Sequence, residues 1–85
     1  MTLPWSDYWQ FIGLSYQGFM SKTPEYVTEK IGVSNGYKDN SIEKEWYIKF
    51  HDGTKVHIFY NHGDPLLYVH GVDSTAITYA RKALF

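Results

Sequence analysis

The four histidines carry the most adaptable chemistry in this chain, because imidazole can bind a metal or exchange a proton near neutral pH. They lie close together in the sequence, as His51, His57, His62 and His70. A zinc site needs three or four ligands at one point. Strand alternation puts His57 and His70 on one sheet face, whereas the other two fall at opposite ends of the middle strand. We therefore expect no metal and no cofactor, and at most a mild pH dependence of partner binding.

Other catalytic patterns find little support. None of the six serines lies in a nucleophile elbow. Residues 32–36 lack the Lys-Ser/Thr ending of a phosphate-binding loop. Asp52 and Asp64 fall in turns, where aspartate is expected for local hydrogen bonding. The charged residues 43–45, just before Trp46, are predicted to be exposed to solvent where a strand begins. These patterns favour a protein that is not an enzyme.

Composition narrows the class of protein further. The 85 residues include no cysteine and are 44% hydrophobic and 19% aromatic, which predicts one ordered domain over residues 1–85. The net charge of −1 argues against nucleic-acid binding. No run is apolar enough to span a membrane, and we expect a location in the cytoplasm. This aromatic content is higher than one small core requires, which indicates that some of the rings lie at the surface or in an interface.

The first third of the chain predicts a helix, a strand and a second helix. Helical spacing predicts a helical segment over residues 1–13, from Trp5, Tyr8, Trp9 and Ile12. Residues 14–20 alternate as a strand, although Gly18 weakens the pattern. The next helix runs from Thr23 to Gly32, because threonine caps a helix and Pro24 suits its first turn.

A hairpin is the clearest element of the sequence. Residues 33–43 read as a loop with a mobile tip, and two alternating strands follow on either side of Asp52-Gly53. A two-residue turn would mix core and polar positions. A three-residue loop over 51–53 pairs Trp46 with Ile58, Ile48 with Val56 and Phe50 with Thr54. This register collects the apolar residues on one face, and Gly53 suits the positive φ that the loop requires.

The remaining pattern completes the fold. A strand is predicted over residues 66–70 and a helix over 75–84, capped by Asp73 or Ser74. We therefore predict an α+β fold in which helices pack mainly on one face of an antiparallel sheet of three to four strands. The core face should carry Trp46, Ile48, Phe50, Val56, Ile58, Tyr60, Leu67 and Val69.

The opposite face is unusual for a solvated sheet, because it carries rings and histidines. Its predicted members are Tyr47, Lys49, His57, Phe59, Tyr68 and His70. Two interpretations remain open. The N-terminal helical segment covers this face, or the face stays open as a docking or dimer surface.

The hairpin and the C-terminal elements after it resemble small proteins found in bacteriophage genomes. The likeness lies in Trp46-x-Ile48-x-Phe50-x-Asp52-Gly53-Thr54, a following Ile-Phe-Tyr strand, a short strand ending at Gly71, and a terminal helix. The upstream helix from Thr23 to Gly32 is similar as well, so the likeness covers roughly residues 18–84. Phage proteins of this size commonly bind and disable or redirect a host protein, including defence systems. The resemblance thus implies a bacterial host protein as partner and the cytoplasm of the host cell as the location, with no catalytic residues to carry over.

From the sequence we predict a non-enzymatic binding protein. The expected contact residues are Tyr47, His57, Phe59, Tyr68 and His70, with a second patch at Asn35, Gly36 and Tyr37. A single-stranded nucleic-acid binder that uses the same rings is the first alternative. A structural homodimer through the same sheet face is the second.

Overall fold

A computed structural model describes residues 13–34 and 42–85 and shows a small α+β fold. Its elements are β1 (Ser15–Met20), α1 (Pro24–Ile31), β2 (Ile42–Lys49), β3 (Lys55–Asn61), β4 (Leu67–Gly71) and α2 (Thr75–Leu84). The four strands form one antiparallel sheet in the order β1-β4-β3-β2. The predicted fold class is therefore confirmed.

The β2–β3 hairpin has the register that the sequence predicts. Trp46 pairs with Ile58 and Ile48 with Val56. The Phe50 amide donates to the Thr54 carbonyl across the three-residue loop at 2.9 Å. Gly53 has a φ of 89°, a conformation that L side chains rarely adopt. Loop length and alternation thus determine the hairpin together.

Local capping determines where the helices begin. The Thr23 hydroxyl accepts the Tyr26 amide at 3.1 Å, as predicted for the start of α1. Before α2 the carboxylate of Asp73 accepts the Thr75 amide at 3.0 Å, whereas the Ser74 side chain makes no capping bond. Of the two predicted capping residues, Asp73 is therefore the one whose side chain accepts a backbone amide of the helix.

Helix α2 packs against the sheet, and α1 packs against α2. A Cβ atom built at Gly71 would lie 2.1 Å from Cβ of Ala76, so glycine permits the close approach of α2 to β4. Ala80 and Leu84 extend the buried stripe of this helix.

The core lies between these helices and one sheet face. Its sheet residues match the predicted core face, with Phe50 only partly buried at the edge of the cluster. The predicted residues that are buried are Trp46, Ile48, Val56, Ile58, Tyr60, Leu67 and Val69. Met20 of β1, which was not predicted, is also part of this core. Burial raises the pKa of Tyr60 to about 12, and its hydroxyl donates to the Lys22 carbonyl.

Two predictions of strand boundaries need correction, and two predicted segments fall outside the described residues. Strand β2 begins at Ile42 instead of following a loop that ends at 43, because β3 extends to Asn61 and pairs with Ile42 beyond a bulge. Strand β4 ends one residue later than predicted, at Gly71. The predicted helical segment within residues 1–13 and the loop tip lie outside the described ranges, apart from Gly13.

None of the helices in residues 13–34 and 42–85 is long and apolar enough to cross a membrane.

Candidate functional site

The sheet surface opposite the helices is the candidate site, and we call it the aromatic face. Strand register arranges it in two rows that cross all four strands. From β2 to β1, the first row is Tyr47, His57, His70 and Tyr16. The second row, in the same direction, is Glu45, Phe59, Tyr68 and Phe19. Paired residues point to the same side of a sheet, so these eight side chains share one surface.

A β-bulge in β1 brings two of these residues onto the face. Tyr16 pairs with His70 and Phe19 with Tyr68, and the register shifts between Tyr16 and Gly18. Residues three apart in a regular strand point to opposite faces, but one extra residue restores them to the same face. Sequence reasoning missed both rings. Gly18 within a strand pattern is the signal that could have revealed the bulge.

His57 lies at the centre of a stack of rings. Its imidazole stacks on Tyr47 with the ring centroids 4.5 Å apart and on Phe59 at 5.0 Å. The planes are inclined by 11° and 24°. Only 14% of its side chain is exposed. The stack holds the imidazole in one orientation and leaves little room for a substrate to reach it.

Glu45 makes the one ion-pair contact found in the described residues, and it pairs with His57. Its Oε1 lies 2.8 Å from Nε2 of His57, and the glutamate is 2% exposed. The prediction that residues 43–45 are exposed to solvent is wrong for Glu45. Alternation turns its side chain onto the aromatic face, where the imidazole satisfies a carboxylate that would be costly to bury alone.

His70 completes a histidine pair across β3 and β4. Its ring centroid lies 5.9 Å from that of His57 and 4.8 Å from that of Phe59, which it meets edge-on. Burial, and then the nearness of His57, lowers the pKa of His70 from its ordinary value of 6.5. His70 is therefore mainly neutral at pH 7.

Tyr68 is tied to a turn beyond the sheet. Its hydroxyl donates to Oδ2 of Asp64 at 2.5 Å, and Oδ1 of the same carboxylate accepts the Leu66 amide at 2.9 Å. These hydrogen bonds lower the pKa of Asp64, and the first raises the pKa of Tyr68. The pair places a fixed negative charge at the rim of the aromatic face.

Exposure changes across the face from β2 to β1. Glu45 and Tyr47 are buried, at 2% and 8% exposed. Tyr16 and Phe19 are each 54% exposed. We call Tyr16, Phe19, Tyr68 and His70 the exposed half, because this half is the part that a partner can reach.

The structure therefore brings five of the predicted site residues onto one surface, at different depths. Tyr47 lies at the buried side, whereas His57, Phe59, Tyr68 and His70 are half-buried. The second predicted patch, Asn35, Gly36 and Tyr37, lies outside the described residues.

The other two histidines lie apart from this face. His51 and His62 are exposed in the turns that precede and follow β3, as the sequence predicts. Within residues 13–34 and 42–85 no three histidine or acidic residues are grouped so as to hold a metal ion.

A shallow groove of about 410 Å³ lies on the helix side, between the hairpin and α2. It is lined by Phe50, Tyr79, Lys82 and Ala83. Phe50 and Tyr79 meet edge-on at 4.9 Å, and the Tyr79 hydroxyl donates to the Asp52 carboxylate. These contacts hold the hairpin against the helix.

The comparisons with known proteins add no relative. No protein-family model, curated protein or solved structure matches the chain.

Proposed function

We propose that this chain is a phage-encoded, non-enzymatic protein that binds a bacterial host protein and inhibits or redirects it, for example as a defence-system inhibitor. The observation that carries the proposal is the exposed half of the aromatic face. Two large rings, Tyr16 and Phe19, are each 54% exposed on the sheet and lie beside His70 and Tyr68. Aromatic side chains in such a patch are enriched at protein interfaces and among their hot spots.

Binding fits the face better than catalysis does. The histidine with an acidic partner, His57, is stacked between two rings and only 14% exposed. A general base must reach within hydrogen-bond distance of the proton that it removes. The most exposed side chains of the face, Tyr16 and Phe19, offer contact area to a partner.

The phage origin and the bacterial target rest on the sequence resemblance of the hairpin and terminal helix to small phage proteins. Small phage proteins commonly disable or redirect host proteins, including defence systems, and the proposed inhibitory role is based on this resemblance. The aromatic face supplies the contact surface for that role.

The test is a tagged pull-down from bacterial lysate, with and without nuclease, read by mass spectrometry. The bait is compared with a face variant, Tyr16→Ala plus Phe19→Ala. A matched control variant, Val33→Ala plus Phe85→Ala, removes apolar side chains that are 75% and 69% exposed and lie next to α1 and α2. Circular dichroism checks that both variants are folded.

The proposal expects one host protein, captured after nuclease treatment, lost with the face variant and kept with the control variant. Recovery that depends on nucleic acid would instead support the single-stranded nucleic-acid reading. An empty pull-down, with a solution mass twice that of the chain, would support the homodimer. Capture that the face variant leaves unchanged would overturn the proposed contact surface.

A further inference from the structure

We propose that the exposed half of the aromatic face binds a lysine or arginine side chain of the partner, over the rings of Tyr16, Phe19 and Tyr68 and beside the Asp64 carboxylate. This inference rests on the proposed function and names the chemistry that the partner must present. It is drawn from ring geometry, from the sign of the charge at the rim, and from the positions of the chain's own cations.

Two of the rings lie close enough for one cation to be near both ring centroids. Tyr16 and Tyr68 have centroids 6.3 Å apart and planes inclined by 53°. Tyr16 meets His70 at the same centroid distance with an angle of 87°. A cation is attracted within about 6 Å of a ring centroid. With centroids this close, a position within that distance of both tyrosine rings exists.

The charge at the rim has the sign that a cation requires. Asp64 accepts hydrogen bonds from the Tyr68 hydroxyl and the Leu66 amide, which keep its carboxylate ionised. His70, on the other side of Tyr68, is mainly neutral at pH 7 and so does not repel a cation. A negative group beside electron-rich ring faces complements an ammonium or guanidinium group.

The cations within residues 13–34 and 42–85 leave these rings unoccupied. Lys49 and Lys55 pair at the hairpin end of the sheet. Lys55 is four residues from Phe59 along β3, roughly 13 Å at the rise of an extended strand. In the described part of the chain no lysine or arginine lies over Tyr16, Phe19 or Tyr68.

The protein already uses the same interaction elsewhere. Nζ of Lys22 lies 4.2 Å from the ring centroid of Phe85 and 4.6 Å from that of Tyr26. One ammonium group is thus held between two rings on the helix side. The exposed half offers comparable rings with no cation from the described residues, and a partner would supply that cation.

The test uses small probes and does not need the partner. The ¹⁵N-labelled protein is titrated with the N-acetyl, N-methylamide derivative of arginine, followed by amide shifts in NMR spectra. The matched probe is the same derivative of citrulline, which has nearly the shape of arginine without its charge. Binding over exposed rings predicts that arginine binds about two- to fivefold tighter than citrulline.

The expected shifts lie at Tyr16, Phe19, Tyr68 and His70. Tyr16→Leu keeps an apolar side chain but removes the ring face, so the preference for arginine should fall. Tyr16 is 54% exposed, and this variant is expected to fold. Asp64→Asn should also reduce the preference, because it removes the charge and keeps the shape.

Equal binding of the two probes would overturn the proposal, since it would show apolar contact alone. So would the absence of shifts on this face, shifts confined to other acidic residues, or an unchanged preference in Tyr16→Leu. If the probes show no preference while the face variant still loses its partner in the pull-down, only the cation site fails. If arginine binds here and no captured protein depends on the face, the cation site stands and the proposed function fails.

Discussion

The two faces of the sheet arise from the same alternation of side chains, but their side chains differ in exposure. On the face beneath the helices, Trp46, Ile58 and Val69 are at most 1% exposed. On the aromatic face, exposure runs from 2% at Glu45 to 54% at Tyr16. Both faces are rich in large side chains, so composition alone does not distinguish them.

The difference lies in what each side chain contacts. The core face is filled by close packing against α2 and α1, where a change of volume is felt directly. Polar groups on the aromatic face are paired nearby, as Glu45 is with His57 and Asp64 is with Tyr68. Local pairing therefore satisfies these polar groups on the aromatic face. Stability should therefore depend on the first face and binding on the second.

The largest effect is expected for Trp46→Ala. This ring is fully buried, and its Nε1–H donates to the Gly32 carbonyl at 2.8 Å. Its loss should lower the free energy of unfolding by about 3–5 kcal/mol, measured by urea denaturation. Phe19→Ala on the aromatic face is the control, with an expected change within about 0.5 kcal/mol. Similar losses in the two variants would contradict the division between the faces.

Gly71→Ala should come next. The new Cβ would lie 2.1 Å from Cβ of Ala76, so α2 must move away from β4. Overpacking of this kind costs about 1–3 kcal/mol. A double-mutant cycle with Ala76→Gly checks the cause, because removing the opposing methyl should recover part of the loss. Additive losses would show that the clash is not responsible.

A smaller effect is expected from acidification. The folded-state pKa of His70 lies below its ordinary value of 6.5, so the unfolded chain binds a proton there first as the pH falls. The contribution is fully present above pH 6.5 and is lost as the pH drops toward the folded-state pKa. Thermal unfolding between pH 7.5 and 5 should show this decline, and His70→Gln should flatten it. Parallel curves for the two proteins would count against the argument.

The smallest change in stability is expected for Tyr16→Ala plus Phe19→Ala. Each ring is about half exposed, so each substitution should alter the free energy of unfolding by no more than about 0.5 kcal/mol. Affinity for the captured host protein should nevertheless fall at least about tenfold, as for hot-spot residues. Biolayer interferometry with that protein measures the affinity. A destabilised variant with unchanged affinity would reverse the roles of the two faces.

Part of this picture was predictable from the sequence. The hairpin register was predicted because its loop length and its alternation agree on one pairing. The same alternation assigned His57, Phe59, Tyr68 and His70 to one face correctly. The contributions of Tyr16 and Phe19 were missed, because a bulge changes the period of β1.

Glu45 shows a second limit of sequence reasoning. A glutamate between a lysine and a tryptophan is usually solvated, and the sequence predicted no more than that. Its burial depends on His57, which lies diagonally across the next strand. A single charged residue does not indicate whether such a partner will be in reach.

Features that depend on residues a few positions apart are encoded locally and can be read directly from the chain. These are the caps at Thr23 and Asp73, the three-residue hairpin loop and the alternation of each strand. Only the folded arrangement places β1 beside β4, which brings Tyr16 to His70, and makes the two faces differ in exposure. The reason is physical. Caps and turns are stabilised by local hydrogen bonds, whereas the neighbours of a strand depend on burial and loop closure summed over the whole chain.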